Sequence, residues 1–85
     1  MKKHLAIISI LIKNRQTHAK NINDILTKNG DIITSRLGVN LQKSNFKHCN
    51  ALIVIVVEGL SREISSLTNE LDKMYGVVAK VSKMI

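Results

Sequence analysis

The stretch ALIVIVV, residues Ala51–Val57, decides the fold, and LAIISILI, residues Leu5–Ile12, is its counterpart near the amino end. Both runs are aliphatic throughout apart from Ser9. Runs of this length are typical of buried strands, and they are too short to span a bilayer. Polar residues close both runs, Lys13–Arg15 after the first and Glu58-Gly59 after the second. We therefore predict two buried strands.

A helical period follows each of these strands. The first predicted helix buries Ala19, Ile22, Ile25 and Leu26 and exposes Lys20, Asp24 and Lys28. The second buries Ile64, Leu67, Leu71 and Met74 and exposes Arg62, Ser66, Asn69 and Lys73, with Ser61 as its N-cap. Gly30 and Gly76 follow the two helices, and glycine there readily takes the left-handed conformation that ends a helix.

Each helix is followed by another strand. Residues Ile32–Leu41 alternate, with Ile33, Ser35, Leu37 and Val39 on one face and Thr34, Arg36 and Asn40 on the other. Gln42–Asn50 is polar and predicts a turn with Ser44-Asn45 at its tip. Val77–Val81 is the last strand.

The order of these elements predicts an α+β fold. Two strand–helix–strand units joined by a hairpin form a ferredoxin-like βαββαβ sandwich, in which a four-stranded antiparallel sheet carries both helices on one face. Residues 1–85 would form a single domain of this kind, with the first and third strands at the centre of the sheet.

Both central strands are apolar on both faces, although helices would cover only one face. A monomer would then expose a contiguous apolar patch, which soluble proteins rarely do. We expect another copy of the chain to cover it. The predicted interface comprises Ala6, Ile8, Ile10, Ile12, Ile53, Ile55 and Val57.

Composition limits the classes of function. Phe46 and Tyr75 are the only aromatic residues, whereas single-stranded nucleic acid needs aromatic platforms for its bases. The single cysteine, Cys49, fits a reducing cytoplasm. The net charge of +7 comes from scattered lysines and arginines, which favour a solvated surface over a nucleic-acid site. We expect no membrane association, and no sequence-specific DNA binding by this chain alone.

No arrangement of residues predicts catalysis or a cofactor. The acidic residues lie on the predicted solvent-exposed faces of the helices or beside turns, so the sequence contains no evident catalytic carboxylate pair. His48 and Cys49 are the only soft-ligand pair, and neighbours on a strand point to opposite faces. His4 and His18 lack ligand spacing. Arg36 could pair an anion or a partner carboxylate, or guard an edge strand against aggregation. We expect no enzyme, no metal and no cofactor.

Several segments resemble the iron-only hydrogenase system regulator family. They are Leu11–Arg15, Ile22–Ile33, Arg36–Val39, Ile55–Gly59, Leu67–Gly76 and Val77–Lys83. The resemblance extends over nearly the whole chain from Leu5. It implies a ferredoxin-like domain, similar to ACT domains and to the C-terminal domain of the nickel-responsive repressor, that assembles as dimers or higher oligomers.

Two departures limit what this resemblance implies. Ala51 stands where the nickel-responsive repressor has its metal-binding cysteine, with Cys49 two residues earlier. Asn14–Thr17 replaces the loop that carries the ACT-type glycine. Neither nickel binding nor amino-acid binding is therefore carried over, and ligand-binding residues stay unassigned.

The sequence thus predicts a cytoplasmic, homo-oligomeric regulatory domain linked to transcription control of a hydrogenase system, with a protein partner or a small-molecule effector. One alternative is an ACT-like module that senses a small ligand at a subunit interface. Another is a protein that binds DNA directly but weakly.

Overall fold

The computed structural model describes residues 2–13, 19–40 and 51–85, without the side chains of Ala19 and Asn40. Its elements are β1 (His4–Ile12), α1 (Ala19–Lys28), β2 (Ile33–Asn40), β3 (Ala51–Gly59), α2 (Ser61–Asp72) and β4 (Val77–Lys83). The four strands form one antiparallel sheet in the order β2-β3-β1-β4. This confirms the predicted ferredoxin-like α+β fold. The predicted turn at Ser44-Asn45 lies outside the described residues.

The two aliphatic strands are the central ones. β1 pairs with β3 along its whole length, from His4 opposite Gly59 to Ile12 opposite Ala51. On its other side, β1 pairs with β4 from Ala6 opposite Lys83 to Ile12 opposite Val77. β2 and β4 are therefore the edges of the sheet within the described chain.

One layer of aliphatic side chains joins the sheet to the helices. Ile22 and Leu26 of α1 and Ile64, Leu67 and Leu71 of α2 are buried in one cluster with alternate residues of the central strands. The predicted stripe of α2 is thus confirmed, as is that of α1 from Ile22 onward, with Ile25 and Met74 partly buried at the margin. Thr68 is also buried, and its hydroxyl donates to the Ile64 carbonyl oxygen at 2.8 Å, which satisfies its polar atom.

The alternation predicted for β2 is interrupted at its start. Ile33 lies opposite Val57, but Ser35 lies opposite Val56, so the strand contains one extra residue at this point. A bulge of this kind transfers the preceding side chain to the other face. Ile33 accordingly packs against the core, whereas Ser35, Leu37 and Val39 share the opposite face of the sheet.

Two helix-end predictions need correction. Leu60, not Ser61, is the N-cap of α2, and its N–H donates to Glu63 Oε1 at 2.8 Å. A glutamate in the first turn can thus satisfy the cap backbone without a capping side chain. Gly76 has a positive φ of 74°, as predicted, but Gly30 does not, because the chain leaves α1 through tight turns in which the Gly30 N–H donates to the Thr27 carbonyl.

Substitutions of two neighbouring isoleucines on β1 should test which face of the sheet the helices cover. Ile8 is fully buried beneath the helices, so Ile8→Ala should lower the free energy of unfolding by about 2–5 kcal/mol. Ile7 points to the other face and is half-buried, so Ile7→Ala should cost about 1 kcal/mol or less in dilute protein. Urea denaturation followed by circular dichroism measures both. Equal losses would contradict this assignment of faces.

Candidate interaction surface

The face of the sheet opposite the helices is largely aliphatic. Its members, here called the open face, are Leu5, Ile7 and Leu11 of β1, Leu52, Val54 and Val56 of β3, Leu37 and Val39 of β2, and Val78 of β4. Most of these side chains are half-buried by their neighbours in the sheet. At the β2 edge Leu37 is 62% exposed and Val39 39% exposed. No described element packs over this face.

Few polar groups interrupt the open face. Ser9 lies near its centre, between Val54 of β3 and Lys80 of β4. Ser35 and Ser82 lie toward the two edges, and Glu58 lies beside Leu5 at one end. All these polar residues are exposed. The solvent-facing surface of the open face is therefore mostly aliphatic, with the Ser9 hydroxyl near its centre.

The predicted interface residues lie on the other side of the sheet. Ala6, Ile8, Ile10, Ile12, Ile53, Ile55 and Val57 are each 7% exposed or less within a single chain. They belong to the cluster that contains the helix stripes, so the chain's own helices already cover them. A second copy cannot reach these seven side chains in the folded chain. Sequence alternation separates the two faces, but only the position of the helices identifies the covered one.

A mixed-charge groove lies at one end of the domain. Two adjoining hollows of ≈ 580 Å³ and ≈ 480 Å³ share Asp31, Ile32 and Glu63. Lysine and arginine side chains line it as well, namely Lys3, Lys28 and Arg62. The backbone bond from the Glu58 N–H to the Ile32 carbonyl, 2.9 Å long, holds the end of β3 beside the turn that follows α1. Sequence reasoning missed this groove, because its residues are distant along the chain.

Several of the charged residues are already engaged. Lys28 Nζ lies 2.8 Å from Glu70 Oε2, and Lys20 Nζ lies 3.8 Å from Asp24 Oδ2. Arg36 donates to Asn23 Oδ1 on α1 at 2.8 Å, which ties its guanidinium to its own chain. Two of these pairings are ion pairs and the third ties Arg36 to a neutral amide, so they fix the positions of these side chains without changing the net charge of +7.

The other candidate residues are dispersed. His4 Nδ1 lies 3.1 Å from the Ile85 carbonyl oxygen, at the end of β1. His18, His48 and Cys49 lie outside the described residues. Among residues 2–13, 19–40 and 51–85, no three histidine, cysteine or acidic side chains come close enough to hold a metal ion. No helix in this part of the chain is long and apolar enough to cross a membrane.

Comparison with solved structures supports the fold. The chain is similar to the uncharacterized protein TM1266 from Thermotoga maritima, with a TM-score of 0.85 and 23% identity, over 99% of this chain and 100% of that one. It is also similar to the apo form of CPII from Thiomonas intermedia, a nitrogen regulatory PII-like protein, with a TM-score of 0.54 and 18% identity, over 98% and 90% of the two chains. At these identities the likeness concerns the fold alone.

Comparison with protein families is more specific. No curated protein sequence matches the chain. One family model does, over residues 4–81, and it carries the description "TM1266-like: Iron-only hydrogenase system regulator, putative". The match includes every helix and strand except the last two residues of β4. The chain therefore belongs to the TM1266-like family of iron-only hydrogenase system regulators.

Proposed function

We propose that this chain is a homo-oligomeric regulatory domain of an iron-only hydrogenase system, and that it acts through protein contacts. The uncovered open face is the observation that carries the proposal. The description of the family supplies the regulated system. Regulation by assembly requires a surface that stays dry when it is occupied, and the open face has the composition for that role.

The size of the open face suits a modest interface. Strands lie ~4.8 Å apart and rise ~3.4 Å per residue, so four strands with seven paired positions cover roughly 450 Å². Two copies packed face to face would bury at least about 900 Å², close to the lower limit of about 1,000 Å² for specific interfaces. The resulting dimer should therefore dissociate on dilution. Aligned packing of two sheets is a common way to bury such faces.

A role without catalysis agrees with the site chemistry. The groove gathers Asp31, Glu58 and Glu63, but Glu63 is held by the Leu60 N–H and Lys28 by Glu70. Its charged side chains are exposed or half-buried. General acid–base catalysis usually takes place in a site that is shielded from water. Sensing of a small ligand with charges of both signs is the second candidate function, supported by the mixed charge of this groove.

A charge in the middle of the open face should prevent assembly. Ser9 is exposed there, so the monomer tolerates Ser9→Arg, whereas a dry interface would have to bury an unpaired guanidinium beside Lys80. We expect the wild type to elute as a dimer or larger at micromolar concentration, and Ser9→Arg to elute as a smaller species. Size-exclusion chromatography with light scattering measures both masses.

Ser65→Arg provides the matched control for this experiment. It makes the same change of side chain and net charge at an exposed position of α2. Its mass in solution should equal that of the wild type. A wild-type protein that stays monomeric at about 9.5 kDa would contradict the assembly proposal.

The regulatory role can be tested in the organism that carries the gene. Deletion should change the transcript level of the iron-only hydrogenase genes, measured by quantitative reverse transcription. Complementation with the wild type or with Ser65→Arg should restore that level, and Ser9→Arg should not. Unchanged transcripts after deletion would refute the hydrogenase role, while leaving the assembly proposal to the mass measurement.

We expect any binding to DNA to be weak and independent of sequence. Lys13, Arg15, Lys20 and Lys28 form the densest basic stretch, but Lys20 and Lys28 have acidic partners. Gel shifts at physiological salt should show weak binding that falls steeply as salt increases, and that decreases further when these four residues are changed to glutamine. Nanomolar binding that survives scrambled competitor DNA would instead support direct readout of DNA by this chain.

A further inference from the structure

The floor of the mixed-charge groove is closely packed. Gly59, which ends β3, is buried, and a Cβ built on it would lie 3.1 Å from Glu63 Oε1 and 3.2 Å from Ile32 Cγ2. No larger side chain fits at position 59 unless one of these neighbours moves. Ile32 is buried as well, and its N–H donates to the Asn29 carbonyl oxygen at 3.1 Å. The turn after α1, the end of β3 and the first turn of α2 thus meet in a fixed arrangement.

Two of the charged side chains around this floor have partners in the chain. Glu63 Oε1 accepts the Leu60 N–H at 2.8 Å, and Lys28 pairs with Glu70. Four others form no ion pair or side-chain hydrogen bond among the described residues, namely Lys3, Asp31, Glu58 and Arg62. These four side chains are exposed, so their charged groups are available to a ligand in the groove.

The groove is basic at one end and acidic at the other. Arg62 and Lys28 line only the larger hollow, of ≈ 580 Å³. Glu58 lines only the other, of ≈ 480 Å³, where three carboxylates face one ammonium group, that of Lys3. No nitrogen of Lys3 or Arg62 lies within 4.0 Å of a carboxylate oxygen in the described part of the chain. Groups of opposite sign are thus left without a direct pairing at the two ends of the groove.

We propose that the mixed-charge groove binds a short peptide with free ends, its carboxylate at Arg62 and its terminal ammonium group at Glu58 and Asp31. This inference rests on the small-ligand sensing named above as the second candidate function, and it does not depend on what covers the open face. The groove lies within one chain, so binding of the peptide requires no second copy.

The charged groups of the groove complement the two ends of a peptide. A guanidinium binds a carboxylate through two parallel hydrogen bonds, and a carboxylate accepts hydrogen bonds from an ammonium group. Three basic and three acidic side chains line the groove, so their formal charges cancel. A simple anion at Arg62 would be repelled by the acids beside it, and a simple cation would be repelled by the bases. A ligand with one charge at each end satisfies both sets of groups.

The dimensions of the groove suit a peptide of two or three residues. A sphere of ≈ 480 Å³ is roughly 10 Å across, and an extended chain advances ~3.4 Å per residue. Two or three residues, about 7–10 Å long, would therefore reach from one hollow into the other. A free amino acid carries both charges within a single residue, so it would meet only one end of the groove. The buried Ile32 and the half-buried Leu60 offer apolar contacts to the peptide between its charged ends.

Alanine peptides of increasing length test the proposed ligand. L-alanine, dialanine, trialanine and tetraalanine are each titrated into isotope-labelled wild-type protein, and the backbone amide signals are followed by NMR spectroscopy. We expect dialanine or trialanine to bind most tightly and to shift the signals of Asp31, Glu58 and Arg62. Acetylation of the amino end of the peptide, or amidation of its carboxyl end, removes one charge, and each should weaken binding about tenfold or more.

Two variants assign the ends of the peptide. Arg62→Gln should weaken binding of the free peptide about tenfold, and the free and the amidated peptide should then bind alike, because the carboxylate has lost its partner. Glu58→Gln should instead reduce the difference between the free and the acetylated peptide. Lys73→Gln and Asp24→Asn are the matched controls, since each removes one charge at an exposed helix position outside the groove, and both should leave binding unchanged. Circular dichroism verifies that all four variants are folded.

The results separate this inference from the functions proposed above. Binding that depends on both ends of the peptide and on Arg62 supports it, and the same binding should occur in Ser9→Arg whatever the mass of that variant. L-alanine that binds at the same amides as tightly as dialanine and trialanine would overturn the peptide ligand but support small-ligand sensing. Singly charged peptides that bind as tightly as free ones, undiminished binding in Arg62→Gln, or no shift at the groove with any of the four probes would also overturn it. The open-face contact is decided by the mass measurements alone.

Discussion

The structure depends on one mismatch, between two strands that are aliphatic on both faces and two helices that can cover only one of them. β1 and β3 pair along their full length, so the most apolar segments of the chain form the centre of the sheet. The helices bury one set of alternate residues almost completely. The other set stays half-exposed, and no described element of the chain buries it.

The two edges of the sheet also differ from each other. A sheet that leaves one face open also has two edges, and here only the β4 edge carries lysines and an accepting carboxylate from the neighbouring helix. The β2 edge carries Gly38, where an added Cβ would meet no atom within 4 Å, and Arg36, and no described strand pairs with β2 on the side away from β3. The open face and the β2 edge adjoin at Leu37 and Val39, which are the most exposed aliphatic side chains of the open face.

Some of the charged side chains of this domain are paired within the chain. Lys20, Lys28 and Arg36 each have a partner within the chain, and the mixed-charge groove holds acids as well as bases. Under the function proposed above, such a domain would exert its effect through apolar contacts between subunits. The protein that it regulates or joins would then supply the surface that recognises DNA.

The sequence by itself determined the order of the elements, the two central strands and the helix stripes, because strand and helix periods are local properties of side-chain spacing. It also indicated that one apolar face would stay uncovered. Only the tertiary structure decided which face that was, and it reversed the assignment of Ala6, Ile8, Ile10 and their partners on β3. The sequence also did not predict three local features. These are the bulge that turns Ile33 to the core, the conformation of Gly30, and the groove between Asp31, Glu58 and Arg62. Each of these depends on how segments distant along the chain pack together, and the local spacing of residues does not determine that packing.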